Sequence, residues 1–414
     1  MSGAPTDPNA LNALGNARMA SADYVAARDA YSAALNLLPG HPSLLLNRAG
    51  AELQSGELDP AEHDAREAMR ANPDYPEAYF LLGLILGARG RHAEAAQVYV
   101  QGEALAPSDA RFPYQLGLAL DELHDTVGAA DSWQRALLRD PQMHAALSHL
   151  IYAKRRLYDW NGLDALTADL RQRVEERAPG VTPFSFLAED VDADEQLRCA
   201  AAMAMRIDAK IRPLRERLAF THPVCEDHAS LRVGMLSAGF GSHPTALLLV
   251  AALEALRDQG IELHAFATTP DDDSPWRARI AAASTLHDLS TVNDADAART
   301  IHAAQCDVLL DIDGWCEGGR PGVLALRPAP LQVSYLAYPG STSAPWIDYA
   351  IADRFVLPDE LRPDFSERIA YLPRCYQPSD PTRVISDAPP RAAFGLPLNA
   401  VVFASFNHSW KLNA

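Results

Sequence analysis

Four prolines recur at a fixed interval of 34 residues in the first third of the chain: Pro39, Pro73, Pro107 and Pro141. Other positions repeat in phase with them, with an alanine twelve residues before each proline and a tyrosine or tryptophan eight residues before three of the four. A period of this length is typical of stacked helical hairpins, because each proline ends the second helix of a pair. The repeat therefore fixes an all-α architecture for this part of the chain.

The small and aromatic positions are those of the tetratricopeptide repeat. Small residues let two antiparallel helices approach closely, and the aromatic side chain fills the space beside them. One unit cannot bury its apolar face alone, so neighbouring units stack into a superhelix whose concave face usually holds a peptide. A helical scaffold without a ligand is the alternative. We place the repeats at residues 8–145 and a helical capping or transition region at 146–220.

Composition narrows the possible functions. The formal net charge of −18 disfavours binding to nucleic acid, because phosphate contacts need a basic surface. No window contains the roughly 18 uninterrupted apolar residues of a membrane span, and the first residues do not resemble a secretory signal, so we expect a cytoplasmic protein. The five cysteines form no Cys-x-x-Cys pair, which argues against a disulfide framework or a structural zinc site and favours core thiols.

From Leu231 the pattern changes to alternating apolar strands and helices, beginning with LRVGMLSAGF, TALLLVAALEALRDQG and IELHAFAT. This alternation predicts a parallel, doubly wound sheet, which binds ligands at the carboxyl ends of its strands. The loop at residues 239–245 lies at such a position and places Ser242, His243 and Thr245 at the start of the next helix. A plain strand-to-helix turn is the alternative for this loop.

Three segments, RVGMLSAGFGSHPTALLL, LRPAPLQVSYLAYPGSTSAPWIDYAIAD and ERIAYLPRCYQPSD, resemble the catalytic core of the O-GlcNAc transferases. That family joins a tetratricopeptide superhelix to a two-lobed GT-B glycosyltransferase. The resemblance implies a Rossmann-like N-terminal catalytic lobe over residues 221–398 and the truncated start of a C-terminal nucleotide-binding lobe over 399–414. It also implies transfer of N-acetylglucosamine from UDP-GlcNAc, with inversion and without a metal or other cofactor, to Ser or Thr hydroxyls of a protein acceptor.

The resemblance assigns roles to several residues. His222, in the sequence FTHP, is similar to the family's histidine over the transfer centre. His243, because it lies in the strand-end loop, is the second histidine that we place near this centre, and fixing the loop by a bond to the backbone is the alternative. Thr285 stands where the family has a further active-site histidine, so a role for the neighbouring His287 is in doubt. Lys411 matches the lysine that contacts the nucleotide diphosphate, a position where a fixed ammonium stabilises the leaving group. His408, three residues earlier, is assigned to substrate binding.

The turn after LQVSYLAY is the other predicted substrate contact. Pro339 and Gly340 bend the chain, and the hydroxyls of Ser341 and Thr342 follow near the end of the predicted strand. These groups are suited to hydrogen-bond a sugar or the backbone of a peptide, and a structural Ser/Thr turn is the alternative. We expect Arg327, just before this strand, to form a packing ion pair rather than an anion contact.

The last segment, NAVVFASFNHSWKLNA, predicts an apolar strand that opens a second lobe. One strand cannot form a sheet, so we expect 414 residues to be part of a longer or divided enzyme and a poor catalyst alone.

Four interpretations remain open besides UDP-GlcNAc transfer. The fold is compatible with another donor such as GDP-fucose. Asp311 and Asp313 are compatible with an Asp-X-Asp metal site for the diphosphate. The repeats are compatible with a peptide-binding scaffold with weak or no catalysis. In the family an asparagine ladder grips the acceptor, whereas the equivalent column here is Ala13, Asn47, Leu81 and Gln115, so Asn47 and Gln115 are the candidate peptide contacts. The remaining possibility is a helical scaffold with no ligand.

Overall fold

The structure is a computed structural model, and it describes residues 7–222, 230–384 and 386–403. A helical superhelix occupies the first half of the described chain, and a seven-stranded parallel sheet with helices occupies the second. This arrangement confirms the predicted order of an all-α repeat region followed by an α/β lobe.

Eight helices form four antiparallel pairs, and each of the four periodic prolines follows the second helix of a pair, as predicted. The helices are α1 (Pro8–Ala20), α2 (Tyr24–Leu37), α3 (Pro42–Ser55), α4 (Leu58–Ala71), α5 (Pro76–Ala88), α6 (His92–Leu105), α7 (Arg111–Glu122) and α8 (Thr126–Arg139). Each helix packs on the next along the chain, so the apolar faces form a continuous core.

The small and aromatic repeat positions meet in the structure as predicted. Gly83 lies against the ring of Tyr99, so close that a Cβ atom on Gly83 would stand 2.3 Å from Tyr99 Cε1. Gly15 packs on Tyr31 and Gly117 on Trp133 in the same way. The aromatic rings are buried and fill the space that the missing Cβ atoms leave.

Replacing Gly83 by alanine is therefore expected to lower the free energy of unfolding by about 1–3 kcal/mol, because the added methyl group overpacks the contact with Tyr99. Gly87 is a matched control in the same helix, since a Cβ atom on Gly87 would meet nothing within 4 Å. Gly87→Ala should be neutral or stabilising by up to about 1 kcal/mol through helix propensity. Denaturant titration of both variants tests the packing, and equal stabilities would contradict it.

Four further helices connect the repeats to the sheet: α9 (His144–Arg156), α10 (Leu163–Glu175), α11 (Pro183–Phe186) and α12 (Ala193–Leu218). Asp192 and Glu195 form a capping box that fixes the start of α12. Among the described residues, no helix has the length and apolar composition that crossing a membrane requires.

The sheet has the strand order β3-β2-β1-β4-β5-β6-β7, and all neighbours run parallel. Its strands are β1 (Arg232–Ser237), β2 (Glu262–Ala267), β3 (Thr285–Asp288), β4 (Val308–Asp311), β5 (Leu331–Ser334), β6 (Tyr349–Asp353) and β7 (Arg368–Leu372). The crossover helices are α13 (Pro244–Asp258), α14 (Pro275–Ala283), α15 (Asp294–Ala303) and α16 (Pro321–Ala325), and two 3-10 turns cover Asp359–Asp364 and Arg391–Phe394. The strand order reverses between β1 and β4, which opens a crevice at their carboxyl ends.

Two predicted strands differ in the structure. The strand predicted over residues 331–338 ends at Ser334, and the chain then bends through Leu336, whose φ is 90°. The strand predicted near residue 399 is not formed over 399–403, where the description ends. In the first case the Tyr335 N–H still donates to the Asp311 carbonyl at 2.9 Å, and beyond it Leu336 and Ala337 line the crevice.

The cysteines agree only partly with the prediction of core thiols. Cys199 and Cys306 are buried and Cys316 is half-buried, but Cys375 is exposed. Cys225 lies outside the described residues. All four described cysteines are free thiols.

The first two repeats pack directly on the α/β lobe. Ala22, in the turn between α1 and α2, is buried in the same apolar cluster as Ile211 of α12 and Ile301 of α15. Asn293 caps α15 through its side-chain oxygen, and its amide donates to the carbonyl of Ser55 at the end of α3, at 2.7 Å. The superhelix is thus joined to the lobe at its first repeats as well as through α9–α12.

Candidate functional site

A cleft of about 940 Å³ opens at the carboxyl ends of β1 and β4. The lobe contributes His243 from the loop after β1, Thr245 from the start of α13, Asp313 from the segment after β4, and Pro339 from the turn after β5. The helical region contributes Tyr152 of α9 and Phe184 of α11. The cleft therefore lies where the reversal in strand order predicts a ligand site, and one wall comes from the helical region.

Asp313 holds the chain where it leaves β1. One of its carboxylate oxygens accepts a hydrogen bond from the Ser237 hydroxyl at 2.8 Å, and the other accepts from the Ala238 N–H at 2.6 Å. The Ser237 hydroxyl in turn accepts from the Gly239 N–H at 2.9 Å. This network is buried and fixes the start of the loop that carries His243.

Asp272 and Arg277 hold the rest of that loop. Asp272 accepts a hydrogen bond from the Ser242 N–H at 2.6 Å, and this bond, as the largest cause, holds the pKa of its carboxyl well below the usual range. The buried Arg277 donates to the Phe240 carbonyl at 2.9 Å. Every second residue of the loop is therefore anchored, so His243 projects from a rigid support.

His243 is the N-cap of α13, and its Nδ1 accepts a hydrogen bond from the Thr245 N–H at 3.2 Å. A nitrogen that accepts a hydrogen bond carries no proton, so the neutral ring carries its proton on Nε2. The imidazole therefore offers an N–H donor to the cleft. Accepting a proton at Nδ1 would cost the cap of α13.

Asp311, the last residue of β4, and Asp313, two residues later, are buried carboxyl groups in contact with protein donors. Burial, reinforced by the neighbouring Asp313 charge, raises the pKa of Asp311 to about 7, and burial also raises the pKa of Asp313. Both oxygens of Asp313 already accept hydrogen bonds, and Asp311 accepts from the Gly314 N–H at 3.1 Å. Within the described residues, no group of three or more histidine, cysteine or acidic side chains is arranged to hold a metal ion. The donors around Asp313 favour a structural role over an Asp-X-Asp metal site.

His222 is not among the residues that line the cleft, and its assignment to the transfer centre stays a prediction. Its Nε2 contacts the carbonyl oxygen of Arg327 at 2.9 Å, and its ring lies 5.4 Å from the ring of His302. Arg327 precedes β5, and His302 ends the helix that leads into β4, so both lie at the amino-terminal edge of the sheet. Because His222 itself precedes β1, the chain places it at this edge, opposite His243. Burial lowers the pKa of His222.

The hydroxyls of Ser341 and Thr342 are used inside the protein, so the structural-turn alternative describes them better than substrate binding does. Ser341 Oγ donates to the buried carboxylate of Glu367 at 2.6 Å, and the Thr342 N–H donates to the same group at 2.7 Å. The Thr342 hydroxyl donates to it as well. Both side chains are buried. Their donors stabilise Glu367 and leave none for a ligand.

Pro339 and Gly340 line cavities, and their assignment to substrate binding stays a prediction. Pro339 lines the cleft, and both residues line a second cavity beside it. Arg327 donates to the Asp348 carboxylate at 2.9 Å and to the Trp346 carbonyl at 2.7 Å, which confirms the predicted packing ion pair. The hydrogen bonds of Ser341 and Thr342 to Glu367 hold the residues that directly follow Pro339 and Gly340, and so stabilise this turn.

His287 lies on edge strand β3 and contacts His264 at 3.1 Å, and Thr285 begins the same strand. Neither is among the residues that line the cleft.

Lys411 and His408 lie outside the described residues. Asn47 and Gln115 lie on α3 and α7, the first helices of the second and fourth pairs, and both are half-buried. Asn47 donates through its amide to Asn12 of the preceding repeat at 2.8 Å. Their assignment to peptide binding stays a prediction.

Sequence reasoning did not identify three residues that build the site: Asp272, Arg277 and Glu367. Asp272 and Arg277 come from the strand β2 to helix α14 connection, which a doubly wound sheet places beside the loop after β1. The contact of Asp272 and Arg277 with this loop could therefore have been predicted from the sheet topology. No sequence pattern indicates the contact of Glu367, because it stands 25 residues after Thr342 and precedes an edge strand.

A tetratricopeptide superhelix is joined to a doubly wound lobe, and a cleft at the strand ends lies between the lobe and the connecting helices α9 and α11. The sequence model of glycosyl transferase family 41 matches residues 163–388, more than half of the chain, and a tetratricopeptide model matches residues 46–110. The chain belongs to glycosyl transferase family 41.

Two relatives of known name are similar to this chain over more than half of its length. A probable UDP-N-acetylglucosamine–peptide N-acetylglucosaminyltransferase of Arabidopsis thaliana is 31% identical over 249 residues, covering 57% of this chain and 25% of the relative. The Caenorhabditis elegans UDP-N-acetylglucosamine–peptide N-acetylglucosaminyltransferase is 30% identical over 232 residues, covering 53% of this chain and 20% of the relative. The chain thus spans a quarter or less of the length of these relatives.

A solved structure of a Thermobaculum terrenum O-GlcNAc transferase mutant is similar with a TM-score of 0.50 and 25% identity, covering 82% of this chain and 59% of that one. The similarity extends across the repeats and the lobe together. It supports the combined architecture and the family assignment.

Proposed function

We propose that the protein transfers N-acetylglucosamine from UDP-GlcNAc to Ser or Thr hydroxyls of polypeptides, with inversion at the anomeric carbon. The observation that carries the proposal is the cleft: His243, held rigidly at the strand-order reversal, lines it together with Tyr152 and Phe184 of the helices that connect the repeats to the lobe. The names of the relatives support UDP-GlcNAc as the sugar donor and a peptide as the acceptor. Lys411 is assigned to the leaving diphosphate through its match to the lysine of the family.

In this mechanism His243 acts as a hydrogen-bond donor. Its Nε2–H is suited to bind an oxygen of the acceptor or of the sugar phosphate, because the Thr245 N–H occupies Nδ1. A positioned donor stabilises charge that develops as the glycosidic bond breaks. The proton of the Ser or Thr hydroxyl then goes to another base. The phosphate oxygens of UDP-GlcNAc are suited to accept it. Asp313, Asp272 and Arg277 serve as positioning residues for the loop.

Transfer to a Ser-containing peptide is the direct test. The intact protein is expected to convert α-linked UDP-GlcNAc to a β-linked glycopeptide, with the anomeric configuration read by NMR. Activity should survive excess EDTA, because the Asp313 oxygens are committed to Ser237 and Ala238. Loss of activity in EDTA, restored by Mg²⁺ or Mn²⁺, would instead support the metal site.

Calorimetric titration separates the remaining candidates. UDP should bind the intact protein, and GDP should bind at least about tenfold more weakly, a difference of about 1.4 kcal/mol. Tighter binding of GDP would favour the GDP-fucose alternative. Peptide binding without binding of either nucleotide would favour the scaffold, for which Asn47→Ala and Gln115→Ala would be the next variants.

A further inference from the structure

A second cavity of about 440 Å³ adjoins the cleft, and we name it the side pocket. The two cavities share Leu187, Leu336, Pro339 and Tyr376 as wall residues. The side pocket lies between the start of α12 and the carboxyl ends of β5 and β6. The side pocket is therefore within reach of a residue that neighbours a group bound in the cleft.

The walls of the side pocket are mainly aromatic and aliphatic, with Gln196, Ser334 and Ser341 as uncharged polar residues. Tyr335, Tyr338 and Phe365 supply rings, and Leu197 and Ile351 supply aliphatic surface. The Tyr335 hydroxyl donates to the Tyr376 carbonyl at 2.6 Å, so this hydroxyl is satisfied within the protein. Such walls suit a long apolar chain, and ring faces also attract cations.

Among the residues that the structure describes, Asp364 is the only charged one that lines the side pocket. Across residues 7–222, 230–384 and 386–403, no hydrogen bond or ion pair to its half-buried carboxylate is formed. Nearby carboxylates behave differently, since Glu367 accepts from Ser341 and Thr342, and Asp359 pairs with Arg354. The described side pocket thus combines apolar walls with one unpaired negative charge.

We propose that the side pocket binds a lysine or arginine side chain of the acceptor polypeptide, close in sequence to the modified Ser or Thr. This inference rests on the proposed function. The methylene stem of such a side chain would lie against the rings, and its cation would pair with Asp364. An extended chain advances about 3.3–3.6 Å per residue, so a residue within a few positions of the acceptor reaches from one cavity to the next. The net charge of −18 favours the approach of basic segments.

The test uses fluorescence anisotropy with the whole chain and labelled peptides that have a central serine. Each of the three positions on either side is in turn lysine, norleucine or glutamate in an otherwise neutral sequence. Norleucine keeps the apolar stem and removes the cation. At one position, lysine is expected to bind about five- to tenfold more tightly than norleucine, and glutamate more weakly than both.

Asp364→Asn should abolish the advantage of lysine over norleucine at that position. Asp74→Asn is the matched control, because Asp74 is an exposed carboxylate that lines neither cavity, and it should leave the advantage unchanged. Equal binding of the lysine, norleucine and glutamate peptides at every position would overturn the inference and leave the proposed function standing. Equal binding of lysine and norleucine peptides would assign the side pocket to apolar side chains and overturn it too. Failure of every peptide to bind would count against the proposed acceptor class, and the inference would fall with it.

Discussion

Replacing His243 by asparagine is expected to lower kcat/KM for glycosyl transfer by at least about a hundredfold while leaving the fold nearly as stable as before. Asparagine is a good N-cap, so its side-chain oxygen can accept from the Thr245 N–H as Nδ1 does. It lacks the Nε2–H that the cleft receives from the imidazole. His243→Ala should lose the same activity and also about 1 kcal/mol of stability with the cap.

His222→Ala supplies the control for that experiment. His222 lies at the amino-terminal edge of the sheet, so its removal should change kcat/KM by no more than about twofold, within the effect of a small stability change. Steady-state kinetics and thermal unfolding of the three variants decide the matter. A large loss in His222→Ala with near-normal activity in His243→Asn would reverse the two assignments.

Replacing Glu367 by alanine is expected to lower the free energy of unfolding by about 3–5 kcal/mol, the cost of breaking a buried charged network. The change leaves the Thr342 N–H and two hydroxyls without their acceptor in a region with little access to water. Because Ser341 and Thr342 follow the turn that presents Pro339, the cleft should also lose its shape. Nucleotide-sugar affinity and stability should therefore fall together.

Glu360 provides a comparison for this substitution. It is an exposed glutamate in the 3-10 turn Asp359–Asp364, seven residues before Glu367. Glu360→Ala should stay within about 0.5 kcal/mol of the parent protein in a denaturant titration. A Glu367→Ala protein as stable as the Glu360→Ala protein would show that the hydroxyl network contributes little.

The repeats could be predicted in detail because their information is local and periodic. The spacing of Gly83 and Tyr99 within one unit already implies their contact, and the structure shows it. The position of His243 was also predictable, since a residue that follows the first strand of a doubly wound sheet lies at the carboxyl edge. The same topology places His222, which precedes that strand, at the opposite edge, whereas resemblance to a family motif assigns it to the transfer centre. The two expectations differ for His222, and the kinetics of His222→Ala distinguish them.

The use of the Ser341 and Thr342 hydroxyls could not be predicted from the sequence. A hydroxyl-rich turn at a strand end is equally compatible with a ligand and with an internal acceptor. The partner, Glu367, is set by the pairing of β6 with edge strand β7, which places it under the turn. Such long-range polar contacts depend on the assembled sheet rather than on any local pattern.

The contact of Asn293 with Ser55 joins the superhelix directly to the lobe. The Asn293 side chain caps the start of α15 and donates to the carbonyl of the last residue of α3, and Ala22 lies in the apolar cluster formed with α12 and α15. Cutting the protein between repeats and lobe would uncover apolar surface on both halves instead of releasing two finished domains. A strain transmitted along the repeats would accordingly reach α15, and through it the sheet on which the cleft is built.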